Sequence, residues 1–240
     1  MIDTLRGLEH AHEKGIIHHD IKPGNILIGD AGEAKLSDFG LALTPSSDPR
    51  NLRAQDYNYT LHVAPEVFAG GQYSVQSDIY AAGITVYRLI NGDSYLPQIP
   101  LEEIADAAAS GTYPDRSRYR DFVPRQVRAI VNKAMSVDPG ERFESAREFR
   151  KALEKLQLTV DWNESILAAR TVWTGSNGSK SFEVELYRQL KGECEITVRQ
   201  CAKSASSRRV SNLCSIHKSS SSAEKAVRRV LQNFVLGRLC

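Results

Sequence analysis

Residues 18–40 read HHDIKPGNILIGDAGEAKLSDFG. Three short apolar runs, in IIHHD, NILIG and AKLSDFG, are separated by Pro23-Gly24 and by Asp30-Ala31-Gly32. Runs this short, broken by residues that favour turns, predict small strands joined by tight turns, a loop-rich platform suited to presenting polar groups. Upstream, Ile2, Leu5, Leu8 and His12 recur at helical spacing and Gly15 ends the pattern, so a helix leads into the platform. Downstream, residues 44–60 (TPSSDPRNLRAQDYNYT) show no apolar periodicity and predict a long loop, a length that is usually functional. Residues 77–91 are apolar on nearly every side, which marks a buried central helix. Residues 101–110, 124–136 and 145–157 follow as amphipathic helices, the last two opening on Pro124 and Ser145.

Within 49 residues the chain places His18-His19-Asp20-Ile21-Lys22-Pro23-Gly24-Asn25, then Asp38-Phe39-Gly40, then Ala64-Pro65-Glu66. Singly, an Asp or Asn beside Pro-Gly is turn chemistry and a Lys is solvated surface. In this order and spacing the three motifs resemble the signature set of protein kinases. The resemblance implies a mainly α large lobe of the protein-kinase fold over residues 1–157. It also implies ATP and magnesium as cofactors and a protein substrate bearing Ser or Thr. Transfer of a terminal phosphoryl group is mainly positioning and charge neutralisation. On that basis Asp20 orients the substrate hydroxyl and accepts its proton, Lys22 neutralises the moving phosphoryl group and contacts the nucleotide, and Asn25 and Asp38 ligate magnesium through hard oxygens. Lysine two residues after Asp20 is the serine/threonine pattern of the family. His18, Phe39 and Gly40 are implied as structural residues. So is Asp78, in a D-x-x-x-x-G match with Gly83 that ties the central helix to the catalytic loop. Arg142, in the segment 138–143, is implied to pair with Glu66.

Composition is that of a globular protein: 41% of residues are hydrophobic and 25% charged. The start MIDTLRGLEH lacks the basic and apolar regions of a secretory signal, and no stretch nears the ~18 apolar residues of a membrane span, so a cytoplasmic chain without membrane contact is expected. The cysteines, Cys194, Cys201, Cys214 and Cys240, have neither redox-pair nor zinc-knuckle spacing.

No Gly-rich loop, strand lysine or partner glutamate precedes His18. The expectation is a truncated chain, inactive by itself and poor at holding nucleotide. An apolar face near Leu27 and Phe39 would then await a small lobe or a protein partner. A non-catalytic scaffold is the alternative. His19 stands where many kinases carry an arginine that pairs with a phosphorylated loop residue. Mostly neutral at its ordinary pKa of about 6.5, it puts strict control by loop phosphorylation in doubt. Thr44, Ser46, Ser47 and Thr60 are candidate phosphorylation sites.

Charge divides the chain. Residues 1–157 hold 18 Lys+Arg against 22 Asp+Glu, a balance of −4, whereas residues 158–240 hold 13 against 7, a balance of +6. The second part predicts a small α+β domain of about three antiparallel strands and a helix. Phe182, Val184 and Leu186 alternate with polar neighbours, as do Cys194, Ile196 and Val198, with a turn at Lys191-Gly192. A third strand is expected within residues 209–217, and Ser221 with Glu224 forms a capping box for the helix. With Lys218, Lys225, Arg228 and Arg229 at that last element, the order is loosely similar to double-stranded-RNA-binding domains. The solvated side of a helix explains those charges equally, and a protein-interaction domain is preferred over RNA binding.

Overall fold

The computed structural model describes residues 1–39, 60–189, 192–202 and 207–239. The chain divides into two compact units, Met1–Arg120 with Arg125–Leu156, and Asp121–Pro124 with Gln157–Cys240.

In the first unit, α1 (Ile2–Glu13) buries Leu5, Leu8 and Ala11 and stops before Gly15, whose φ of 71° glycine adopts without cost. Strands β1 (Ile26–Ile28) and β2 (Ala34–Leu36) form a two-stranded hairpin with Leu27 opposite Lys35, closed by a turn with Gly32 at φ 83°. Short helix α2 (Pro65–Phe68) carries Glu66. The expected central helix is α3 (Val75–Asn91), and all of residues 77–87 are buried. Ser74 and Ser77 cap its start reciprocally, each side chain bonding the other's backbone. A 3-10 turn at Leu101–Glu103 leads into α4 (Ile104–Ala109), and α5 (Arg125–Ala134) and α6 (Ala146–Glu154) follow. Ser145 caps α6, accepting the Glu148 N–H. Helices α1 and α6 pack together, latched by Arg150 between Glu9 and Glu154 and by Arg6 on Glu154.

The second unit is one antiparallel sheet and one helix. Its strands are β3 (Asp161–Ile166), β4 (Arg170–Ser176), β5 (Lys180–Arg188), β6 (Cys194–Ala202), β7 (Arg208–Arg209) and β8 (Ser215–His217). They run in the order β3-β4-β5-β6-β7, and β8 also pairs with β6. Helix α7 (Ser220–Val235) lays Val227, Leu231 and Phe234 against Trp173, Val184, Ile196 and Val198. Among the described residues six strands stand where about three were expected. The strand pair expected across residues 191–192 is β5 with β6, aligned with Val184 opposite Val198; Gly192 takes φ 83° and Lys191 lies outside the described residues. The third expected run divides into β7, a 3-10 turn at Ser211–Leu213 and β8. The cap of α7 is Ser219, accepting the Ser222 N–H, two residues before the expected Ser221; Glu224 instead accepts from the Ser220 hydroxyl. Cys194 is buried and Cys201 and Cys214 half-buried, all three as free thiols. Among the described residues no helix is long and apolar enough to cross a membrane.

Gly83 shows how closely the first unit is packed. A Cβ there would stand 2.8 Å from Met135 Cγ and 2.9 Å from Ala134 Cβ, inside contact distance. Gly83→Ala should therefore destabilise the unit by about 1–3 kcal/mol despite the better helix propensity of alanine, read as a lowered denaturant midpoint.

Candidate active site

The site is built around the carboxylate of Asp78, 1% exposed in the first turn of α3. Its Oδ2 accepts the His18 backbone N–H at 2.7 Å, and its Oδ1 accepts the His19 N–H at 3.0 Å. Two consecutive N–H groups converge because His19 adopts a left-handed conformation, φ 72°, which turns the backbone into an anion-holding concavity. A third donor comes from His12 on α1, whose Nε2 lies 2.9 Å from Asp78 Oδ2. A carboxylate only accepts, so this nitrogen carries the proton. His12 was legible as part of a helical face, but its role was missed. The available signal was a polar residue at an otherwise apolar helical spacing.

From that anchor the loop runs through buried residues. His18 is fully buried, and its Nδ1 accepts the Asp20 N–H at 3.2 Å while its Nε2–H donates to the Ser37 carbonyl at 3.0 Å. Asp20, 2% exposed, has Lys22 Nζ and Asn25 Nδ2 on the same oxygen, Oδ2, at 3.0 and 2.9 Å. Asn25 Nδ2 also donates to the Asp20 carbonyl at 2.7 Å, which locks the amide. Its backbone carbonyl accepts both the N–H and the hydroxyl of Ser37, so the segment carrying Asp38 hangs from the loop carrying Asp20. Phe39 packs on His18, ring centroids 4.6 Å apart. Asp38 is exposed and left-handed at φ 63°, a conformation that costs a non-glycine residue energy and recurs at functional positions. The structure thus brings His18, Asp20, Lys22, Asn25, Phe39 and Asp78 into one network that reaches Asp38 through Ser37. Gly40, Thr44, Ser46 and Ser47 lie outside the described residues, and Thr60 is buried at 6% exposure. Among the described residues no cluster of three or more His, Cys, Asp or Glu side chains forms a metal site.

Glu66 and Arg142 lie apart from this network and meet each other. Two parallel bonds of 2.7 Å join them. Arg142 also donates to the carbonyls of Ser136, Gln76 and Val137, which uses all five guanidinium N–H groups, and it stacks 4.9 Å over the Tyr80 ring. Removing the cation leaves three carbonyls and a carboxylate without their donors. Arg142→Met should cost about 3–5 kcal/mol. Glu66→Gln should cost less, because the Glu66 side chain is 23% exposed and water can reach it. An unchanged melting temperature in both variants would refute this pairing as a framework element.

His19 stacks on Tyr73, ring centroids 4.4 Å apart. Burial lowers its pKa below the ordinary value; Asp78 opposes this and His18 reinforces it. The imidazole is therefore neutral over the physiological range. Below about pH 6.5 the unfolded chain binds the proton that folded His19 resists, so stability is full above that pH and is lost as pH falls through the lowered value. His19→Asn, which tolerates the left-handed backbone, should flatten the loss of stability between about pH 7.5 and 5.5 in denaturant titrations.

Comparison with known proteins places this geometry. A protein kinase domain profile matches residues 1–155. The serine/threonine-protein kinase PrkC of Bacillus subtilis is 34% identical over 148 residues, covering 62% of this chain and 23% of the relative. The serine/threonine-protein kinase PknL of Mycobacterium tuberculosis is 32% identical over 153 residues, covering 64% of this chain and 38% of the relative. The serine/threonine-protein kinase pakA of Talaromyces marneffei is 37% identical over 141 residues, 58% of this chain and 22% of the relative. The matches thus span between about a fifth and two-fifths of these relatives' lengths.

Proposed function

The chain belongs to the protein-kinase family through residues 1–155, and from that premise we propose that it is the catalytic-loop part of an enzyme that transfers phosphoryl groups from ATP to serine or threonine hydroxyls of proteins. One observation carries this reading: a buried carboxylate, Asp20, held on one oxygen by both Lys22 and Asn25, on a loop whose backbone is clamped by Asp78. In this role Asp20 orients the incoming hydroxyl and takes its proton as the bond to phosphorus forms. Lys22 keeps a cation beside that carboxylate, where it offsets charge on the phosphoryl oxygens. The serine/threonine preference rests on Lys22 and on the relatives' names.

The donor set fits magnesium. The Asn25 amide nitrogen is committed to Asp20, which leaves the amide oxygen as its metal-binding atom, and Asp38 adds an exposed carboxylate. Both are hard oxygens of the kind magnesium takes alongside phosphate. When bound, the metal neutralises charge on the transferring phosphate. Asn25 and Asp38 hold the ligand positions, and the bonds from Ser37 to the Asn25 carbonyl keep the two together.

The same proposal takes residues 1–157 as the mainly α large lobe and residues 158–240 as an α+β accessory domain. Leu27 and Ile28, 56% and 69% exposed on β1, supply the apolar face for a small lobe or a protein partner. For the accessory domain, protein interaction is favoured over RNA. On the open face of its sheet Arg170, Arg199 and Arg209 are already paired with Glu185, Glu183 and Glu195, so that face offers phosphates little unspent positive charge.

Because this chain is expected to be inactive by itself, phosphate incorporation into a protein substrate from magnesium-ATP is measured with the chain joined to a nucleotide-binding small lobe. Asp20→Asn should reduce the turnover number by about 10²–10⁴-fold with little change in melting temperature. Activity that survives both Asp20→Asn and Asp38→Asn would contradict it.

A further inference from the structure

A cavity of about 460 Å³ lies at one corner of the second unit, lined among the described residues by Gln200, Arg208, Arg209, Val210, Ser211 and Asn212. None of these carries a carboxylate. Strands β6 and β7 form its wall, with Gln200 directly opposite Arg208. Successive residues of a strand face opposite sides, so the two arginines diverge. Arg209 bonds Glu195 and the Cys214 sulfur. Arg208 makes no ion pair or hydrogen bond among the described residues, whereas Arg170, Arg188, Arg199 and Arg209, the other arginines of this sheet, each face a glutamate. The side chains of Gln200, Ser211 and Asn212 are likewise without hydrogen bonds, which adds two amides and a hydroxyl as donors. Gln200 is half-buried and Arg208, Ser211 and Asn212 are exposed, so a solute reaches all four. The backbone beneath them is tied down. The Val210 N–H donates to the Val198 carbonyl at 2.9 Å or less, and the Cys214 sulfur accepts the Val198 N–H at 3.4 Å and the Arg209 Nε–H at 3.3 Å while donating to the Val210 carbonyl at 3.3 Å. One thiol therefore joins β6 and β7 to the turn that carries Ser211 and Asn212.

We propose that this cavity binds a phosphate monoester, its terminal oxygens on the Arg208 guanidinium, the Ser211 hydroxyl and the amides of Gln200 and Asn212. An arginine fork takes two oxygens of a phosphate at once, and a monoester presents three strong acceptor oxygens, so it can engage a guanidinium together with neutral donors. A carboxylate has only two oxygens and would leave donors over. The volume exceeds what a bare phosphate needs and falls within the roughly 300–1,000 Å³ of pockets that enclose small ligands, which leaves room for the organic part of the ester. Because the strands and turn are already fixed, little ordering opposes binding. The charge-paired open face of the sheet takes no part, since Arg208 faces away from Arg209. The inference concerns the second unit alone and is read by binding, so its outcome is independent of the phosphoryl-transfer reading.

The test titrates the whole ¹⁵N-labelled chain, at constant ionic strength, with two probes: ribose 5-phosphate, and a pentapeptide with phosphoserine between glycines, acetylated and amidated. Saturable binding of either should move the backbone amide signals of Arg208, Ser211 and Asn212, and the probe that binds identifies a small molecule or a modified protein as the source of the phosphate. Arg208→Gln should weaken that binding by about tenfold or more at unchanged melting temperature, as should the double substitution Ser211→Ala with Asn212→Ala. Lowering the pH through about 6, where the ester loses its second charge, should weaken it too. Failure of both probes to bind overturns the proposal. So does equal binding of the unphosphorylated peptide or of ribose, or binding indifferent to Arg208→Gln.

Discussion

A carboxylate taken out of water is a heavy liability unless donors surround it. Asp78 meets that condition with the N–H groups of His18 and His19 and with the His12 imidazole. These bonds tie the first helix and the loop that follows it to the central helix, 60 or more residues further along the chain. The loop is left with little freedom to drift. Its direction is set by two N–H groups on one carboxylate, and the left-handed turn at His19 is the conformation that lets both point the same way. Asp20 follows directly, so its position descends from an interaction it does not itself make.

The clamp works only if α3 is rigid, and the helix shows why it is. Residues 77–87 are buried continuously, the start is capped by Ser74 and Ser77, and Gly83 lets α5 approach so closely that an added methyl group would overlap it. The Thr85 hydroxyl donates to the Ala81 carbonyl of its own helix at 2.9 Å and lies 3.4 Å from the Ile21 carbonyl, which seats the helix against the loop. Each of these contacts suits a structural role better than a chemical one. Functional groups sit one step further out, on a backbone that the framework has already fixed.

Those residues that were legible in the sequence are the ones whose chemistry permits few substitutes. The apolar run of α3 has almost no polar side and could be read as buried without coordinates, whereas the roles of Asp20, Lys22, Asn25 and Asp38 were read through resemblance to the family and stand as proposals. The Glu66–Arg142 pair was readable only through resemblance, because 76 residues separate the partners. What escaped has a physical reason in each case. Strand β3, DWNESI, has one large buried side chain, Trp162, and lies at the sheet edge, so its alternation is faint. Strand β4 interrupts its alternation with Gly175, which reads as a turn residue. In the fold it is a space requirement, since a Cβ there would come within 2.6 Å of Trp162. The tie between His12 and Asp78 spans 66 residues, and no local pattern encodes it.

Two ion pairs of the first unit, Glu66–Arg142 and Asp20–Lys22, differ in how far they are buried. Arg142 has every donor satisfied and its side chain fully buried, a saturated arrangement that can only be broken. Lys22 sits 3.0 Å from Asp20 with 16% of its side chain exposed, a pair that keeps one side toward solvent. Asp38 goes further, exposed and held in a costly backbone conformation. Going from Arg142 to Lys22 to Asp38, burial falls. On the phosphoryl-transfer reading proposed above, a site that binds a polyanion and releases it needs that gradient of burial, because a cation whose donors were all spent inside the protein would have nothing left to offer the phosphate.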